Sequence, residues 1–250
     1  MLKHSLLSAA EAVLLGTPKS KKRKPVSSIG TQKESSLHRS LKFRYSGEDG
    51  ETEAQTGLYV CDACTSDGEL IEVQTGSFGP LKEKVKDLCT KNKVRIIHPI
   101  INQKYIELYD KDGRFKYRRK SPRKGTPWDL FEALIYAPLF PLQKKLTIEL
   151  AVVDVIEKRI SDGKGSWRRK GVRIADRTLS AWLVSIILKS PKDYHRFLPF
   201  KKNKQFTVKD LAAAAGIKVS LARKVIYVFD KIGIVEKAGK EGRSPVYKWS

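Results

Sequence analysis

Residues 94–101 read VRIIHPII, an almost wholly apolar run of strand length. A strand with apolar side chains on both faces must lie inside a sheet that is covered above and below. Everything near this run has to supply that cover. Just before it, residues 58–65 (LYVCDACT) end at Ser66-Asp67-Gly68, and residues 69–75 (ELIEVQT) begin at once, the pattern of a β-hairpin. Gly76 and Gly79 break the second strand. Pro80 then suits the first turn of a helix to about residue 91, with Leu81, Val85 and Leu88 on its inner stripe. Two strands, a helix and a doubly covered strand define an α/β core. The same reading gives helices at 2–15 and 34–45, the latter presenting Leu37, Leu41 and Tyr45, and an acidic turn at 47–53. Downstream it gives a second hairpin at 106–117, a basic loop at 118–125 (RRKSPRKG) and a helix at 127–136. A long strand at 146–156, a return strand at 167–175 and an apolar helix at 178–188 follow.

Charge narrows the partner. The 250 residues hold 50 Lys and Arg against 27 Asp and Glu, a net +23, which points to a polyanion, DNA first and RNA as an open alternative. The charge is uneven: residues 47–112 carry 8 basic and 13 acidic residues, while each flanking stretch is strongly basic. A protein that only neutralises phosphate has no need of a central acidic island, whereas one that holds a divalent cation against phosphate does. No apolar run approaches the ~20 residues of a membrane-spanning helix. Three cysteines build no disulfide framework, and the first sixteen residues lack a secretory pattern. The expected location is cytoplasmic and nucleoid-associated. In a eukaryote it would be nuclear, since Lys19, Lys21, Lys22, Arg23 and Lys24 form a localisation-type cluster.

The last fifty residues form their own unit. Thr207-Val-Lys-Asp210 is a capping-box helix start and Gly216 its stop. A second helix runs from Ser220 to Ile232 with Leu221, Val225, Val228 and Phe229 inward, and two short strands close the chain around a basic turn. Helix, turn, helix and hairpin resemble the winged-helix family. The expected division is an N-terminal helix and basic linker at 1–30, an α/β domain with a basic extension at 31–199, and a winged-helix domain at 200–250.

The first hairpin carries the candidate chemistry. Glu72 and Gln74 project to one side of their strand. If Ser66-Asp67-Gly68 forms a three-residue loop, Thr65 pairs with Glu69, which sets Asp62 opposite Glu72, ~5 Å away and on one face. Converging carboxylates repel unless a cation joins them, and Mg²⁺ (or Mn²⁺), which takes oxygen ligands and keeps several waters, suits such a pair. A two-residue loop would turn Asp62 to the other face.

Asp62 on one strand and Glu72-Val73-Gln74 on the next, before a helix and a buried strand, resemble the PD-(D/E)XK nuclease superfamily over about residues 34–101. That resemblance implies a restriction-endonuclease-like mixed sheet and metal-dependent hydrolysis of DNA. Asp62 and Glu72 would hold the metal, helped by Glu34 or Glu53, and Gln74 would position water or phosphate. Gln74 stands where the family usually has Lys, and Cys61 where it usually has Pro.

Arg118, Arg119, Lys120, Arg123 and Lys124 form one basic cluster, and Arg168, Arg169 and Lys170 follow Trp167 in another. Arginine suits bidentate phosphate contact, and an exposed tryptophan suits base stacking. In the C-terminal unit, Ser220, Arg223 and Lys224 open the second helix, and Lys240 and Arg243 occupy the basic turn, all candidate DNA contacts. The expected activity is a metal-dependent endonuclease acting on duplex or structured DNA, with a homodimer as a way to cut both strands. The alternative is a non-catalytic winged-helix binder with a decayed nuclease-like core.

Overall fold

The computed structural model describes residues 35–46 and 51–250. The expected helix at 2–15, the basic linker and Glu34 lie outside the described residues. Helix α1 (Ser36–Ser46) precedes β1 (Glu51–Thr56), β2 (Tyr59–Cys64) and β3 (Leu70–Val73). A 3₁₀ turn at Gly79–Leu81 leads into α2 (Lys82–Leu88), followed by β4 (Val94–Asp110), β5 (Phe115–Lys120), α3 (Leu130–Leu134), β6 (Leu146–Ser161) and β7 (Val172–Leu188). These strands make one mixed sheet in the order β1-β2-β3-β4-β6-β7, with β5 also on β4. The architecture is α/β with a largely β core. Central strand β4 runs parallel to both β3 and β6.

Residues 94–101 are covered on both faces, as their composition requires. Ile97 faces α1, in a cluster with Leu37, Leu41, Ala63, Ile71, Val73, Ala151 and Val153. Ile96 and Ile100 face the opposite way, toward Val85 and Leu88 of α2 and Leu130, Phe131 and Leu134 of α3.

Beyond Val155 the apolar core thins, but the strands continue. The ends of β4, β6 and β7, with β5, extend as a β-arm that closes in hairpins at 111–114 and 162–171. Four expectations change. Residues 178–188 are strand, not helix, because β7 pairs antiparallel with β6 from Val172 to Leu188. Ladder hydrogen bonds along the whole segment outweigh the helical look of a short apolar run. The return strand starts at Val172, since Trp167–Arg169 is a 3₁₀ turn. Arg118–Lys120 belong to β5, so only 121–125 is loop. Part of the expected acidic turn at 47–53 is strand too: Glu51–Thr56 form β1, the polar edge of the sheet.

The C-terminal unit holds β8 (Phe206–Thr207), α4 (Val208–Ala215), α5 (Val219–Lys231), β9 (Val235–Glu241) and β10 (Ser244–Trp249), its sheet ordered β8-β10-β9. The expected capping box forms: the Asp210 N–H donates to Thr207 Oγ1 at 3.3 Å and the Thr207 N–H to Asp210 Oδ2 at 2.7 Å. Gly216 ends α4 in the left-handed region, at φ 63°. This unit continues the core's own apolar cluster instead of standing apart: Phe229 of α5 meets Phe131 of α3 edge-on at 5.4 Å. Among the described residues no helix is long and apolar enough to cross a membrane.

Candidate active site

The β2–β3 hairpin closes with the three-residue loop. Thr65 N–H donates to Glu69 O at 3.0 Å, Gly68 N–H donates to Thr65 O at 2.9 Å, and Gly68 sits at φ 80°. The register follows, with Cys64 opposite Leu70 and Ala63 opposite Ile71. There the ladder opens into a fork. The Val73 N–H, which would otherwise seek a β2 carbonyl, donates to Asp62 Oδ2 at 2.8 Å. The Val73 carbonyl lies 3.0 Å from His38 Nε2 of α1. A side chain from each neighbour thus satisfies a peptide group that the sheet has released.

The fork gathers Asp62 and Glu72 but engages them from opposite sides. Asp62 is reached from α1, with His38 Nε2 at 3.4 Å and Lys42 Nζ at 4.0 Å. Glu72 is buried and ion-paired with Lys84 of α2, whose Nζ also donates to Val60 O at 2.6 Å. The expectation that both carboxylates project from one face is corrected. The cross-strand rule holds only while the ladder is intact, and it ends one residue short of this pair.

Electrostatics differ at the two carboxylates. Burial alone would raise the Asp62 carboxyl, but the His38 hydrogen bond, the Val73 N–H and the neighbouring cations hold it below its ordinary range. At Glu72 burial prevails and raises the pKa; Lys84 opposes the rise and the negative Asp62 adds to it. Cys61 lies on the Glu72 side, its thiol pushed up to about 12 by burial and by that carboxylate.

The remaining candidates scatter. Gln74 is half-buried and donates from Nε2 to Ser77 O at 2.9 Å, so its amide is turned into the loop after β3. Glu53, in left-handed backbone at φ 59°, is exposed and joins the site through Lys42, 3.6 Å from its Oε1. Lys84 and His38 are the members that spacing did not reveal.

Among the described residues no group of three or more His, Cys, Asp or Glu side chains is gathered to hold a metal. The donor chemistry at the fork nevertheless fits a hard divalent cation. Asp62 and Glu72 both lie where the ladder opens, and such an ion needs only one or two carboxylates, with water completing its shell. Lys42 and Lys84 now meet the charge that it would share.

A cleft of ≈ 470 Å³ opens next to the fork, from Thr75–Ser77 along β4, lined by Lys104, Arg123 and Arg177 and also by Asp129 and Glu132. Arg118, Arg119 and Lys120 are exposed on β5, and Arg123 and Lys124 in the loop after it. Arg168, Arg169 and Lys170 are exposed at the arm tip. In the C-terminal unit Ser220, Arg223, Lys240 and Arg243 are exposed, whereas Lys224 turns inward to an ion pair with Glu132 of α3. The fold therefore leaves a cationic track beside the fork, and most of the basic candidates stay open to solvent.

A mixed α/β sheet with a carboxylate fork, a basic arm and an appended helical unit is the class that these features define. Residues 35–189, which span the fork and the arm, match the family described as "Domain of unknown function (DUF8091)", and the chain belongs to that family. An uncharacterized protein of Treponema pallidum (strain Nichols) is 27% identical over 221 residues, covering 88% of this chain and 87% of that protein. No solved structure matches.

Proposed function

We propose that this chain binds DNA and hydrolyses its phosphodiester bonds at the β2–β3 fork. The observation that carries the proposal is the pair of carboxylates at the opened ladder, Asp62 on the Val73 N–H and Glu72 on Lys84, with Lys84 supplying the cation that Gln74 lacks. The order of helix, antiparallel strands, helix and parallel strand around that fork supports a PD-(D/E)XK-like core. The helix pair and hairpin after residue 205 support a winged helix.

In this reading Asp62 and Glu72 would hold a Mg²⁺ or Mn²⁺, which would supply a water of lowered pKa and offset charge on the scissile phosphate. Asp62 and Glu72 hold the site's negative charge. Lys84 faces the phosphate oxygens and stabilises the charge that develops as the bond breaks. His38 keeps α1 against the fork through the Val73 carbonyl. Lys104, Arg123 and Arg177 guide the backbone along the cleft.

The test is nicking of supercoiled plasmid with Mg²⁺ or Mn²⁺. Asp62→Asn, Glu72→Gln and Lys84→Met are each expected to lower the rate at least ~100-fold with DNA binding retained, and Gln74→Ala to lower it far less. A second reading, a non-catalytic DNA binder, is favoured by the lysines that already engage both carboxylates, Lys42 at Asp62 and Lys84 at Glu72. Tight binding by folded wild type, with no cleavage under any metal or of branched DNA, would establish that reading instead.

A further inference from the structure

Trp167 stands at the tip of the β6–β7 hairpin with 82% of its surface in water. Leaving an indole in solvent forgoes a large hydrophobic gain, so an exposed one on an ordered turn needs a reason. The turn is built to hold it there. Arg169 N–H donates to Ser166 O at 2.9 Å, Lys170 N–H to Trp167 O at 3.0 Å, and Gly165 N–H to Gly171 O at 2.8 Å. Lys170 takes the left-handed region at φ 50°. A Cβ on Gly165 would lie 2.1 Å from the Val172 carbonyl carbon, so only glycine fits where the two strands meet. Asp162 anchors the base of the turn, 2.5 Å from Arg173 Nε.

The surroundings are cationic. The Arg168 guanidinium lies over the indole, 5.6 Å from the ring centre, and Lys164, Arg169 and Lys170 crowd the same turn. An aromatic plane among cations takes an unstacked nucleobase together with its flanking phosphates. An intact duplex buries its base faces, so it offers nothing for the indole to stack on. We infer that the arm tip captures an unpaired base of single-stranded DNA on Trp167, with Arg168, Arg169 and Lys170 on the adjacent phosphates.

Geometry separates this contact from the fork. Val73 is level with Ile97 on β4, and the tip hairpin begins level with Asp110, thirteen residues further on. At ~3.3 Å per residue the separation is about 40 Å, roughly one helical turn of duplex or a little more. The substrate class is therefore DNA with a junction between duplex and single strand.

The inference rests on the DNA-binding reading, and its test needs no cleavage. The full chain, wild type, Trp167→Ala and Trp167→Phe, is titrated in EDTA with labelled blunt duplex, the same duplex bearing a thymine tail, and the single strand alone. Trp167→Ala should weaken tail and single-strand binding on the order of 10-fold and leave blunt duplex unchanged, with Trp167→Phe keeping most of the affinity. Indole fluorescence should be quenched by the single strand in wild type and not in Trp167→Phe. Equal loss on all three substrates, or no loss on any, overturns the inference while DNA binding stands. Loss of binding to vesicles of anionic phospholipid, with DNA binding unchanged, overturns it in favour of a lipid surface. Failure of wild type to bind any of the three DNAs removes the DNA-binding reading itself.

Discussion

Two buried carboxylates, one at the fork and one on the arm, meet opposite fates. Glu157 of β6 has no exposed surface, yet its pKa falls to about 2: burial pushes it up, but hydrogen bonds from Arg177 and Arg159 and the charge of Lys104 overwhelm that push. Arg177 Nε lies at 2.8 Å, Arg159 Nη2 at 2.5 Å and Lys104 Nζ at 3.3 Å. Glu72 is almost as buried but has Lys84 and the negative Asp62 for neighbours, and its pKa rises. Glu157 is over-compensated and serves as a mount that aims three cations, two of them at the cleft. Glu72 is under-compensated and can take more positive charge. The two carboxylates differ in this balance, not in burial.

The largest effect should follow from breaking the over-compensated site. Glu157→Ala leaves three partly buried cations facing one another and is expected to cost about 3 kcal/mol. For a chain of this size that lowers Tm by roughly 10 °C in thermal unfolding. Adding Mg²⁺ or Mn²⁺ tests the under-compensated site. At a hundredfold excess over its dissociation constant a bound ion should stabilise wild type by about 2.7 kcal/mol, and Glu72→Gln should abolish the gain while Glu157→Gln leaves it. An equal metal response in wild type and Glu72→Gln would break the comparison.

Acidification should separate the two carboxylates by direction. The depressed pKa of Glu157 adds stability that is complete above its unfolded value, near 4.5, and is lost as pH falls toward about 2. Glu72 has the opposite sign. Its raised pKa means that the folded state binds the proton more readily, so its contribution is most favourable at low pH and declines as pH rises past its unfolded value. Between pH 7 and 5, wild type should therefore gain stability relative to Glu72→Gln. Below pH 4 it should lose stability relative to Glu157→Gln. Unfolding midpoints in denaturant across that range measure both signs.

What was legible in the sequence was local. Ser66-Asp67-Gly68 determined the loop and hence the register, Thr207 and Asp210 the helix cap, and residues 94–101 the central strand. Each is governed by neighbours within a few positions. The fork was not legible, because pairing ends at Ala63 and Ile71 and the side chains that finish it come from helices, His38 on one and Lys84 on the other. No periodicity rule links those positions to Asp62 and Glu72. Residues 178–188 misled for the same reason: their strand state is imposed by β6, and Leu183 and Val184 remain half-exposed on a face that a helix reading would bury. Strand β1 (ETEAQT) escaped because an edge strand needs no apolar alternation.

The smallest effect on stability should come where a cation has no carboxylate behind it. Arg159 and Arg119 both belong to the arm, but Arg159 is held by Glu157, whereas Arg119 is exposed on β5 and has no acidic partner among the described residues. Removing Arg119 vacates no buried acceptor, so Arg119→Ala should shift unfolding by no more than ~0.5 kcal/mol. If Arg119 meets a phosphate, the same change weakens duplex and single-strand binding alike and reduces the slope of log affinity against log salt by about 0.9. Arg159→Ala should move both quantities, because it also removes two hydrogen bonds from Glu157. An unchanged salt slope in Arg119→Ala would mean that the exposed cations of β5 lie off the DNA path, leaving contact to the cations that Glu157 aims into the cleft.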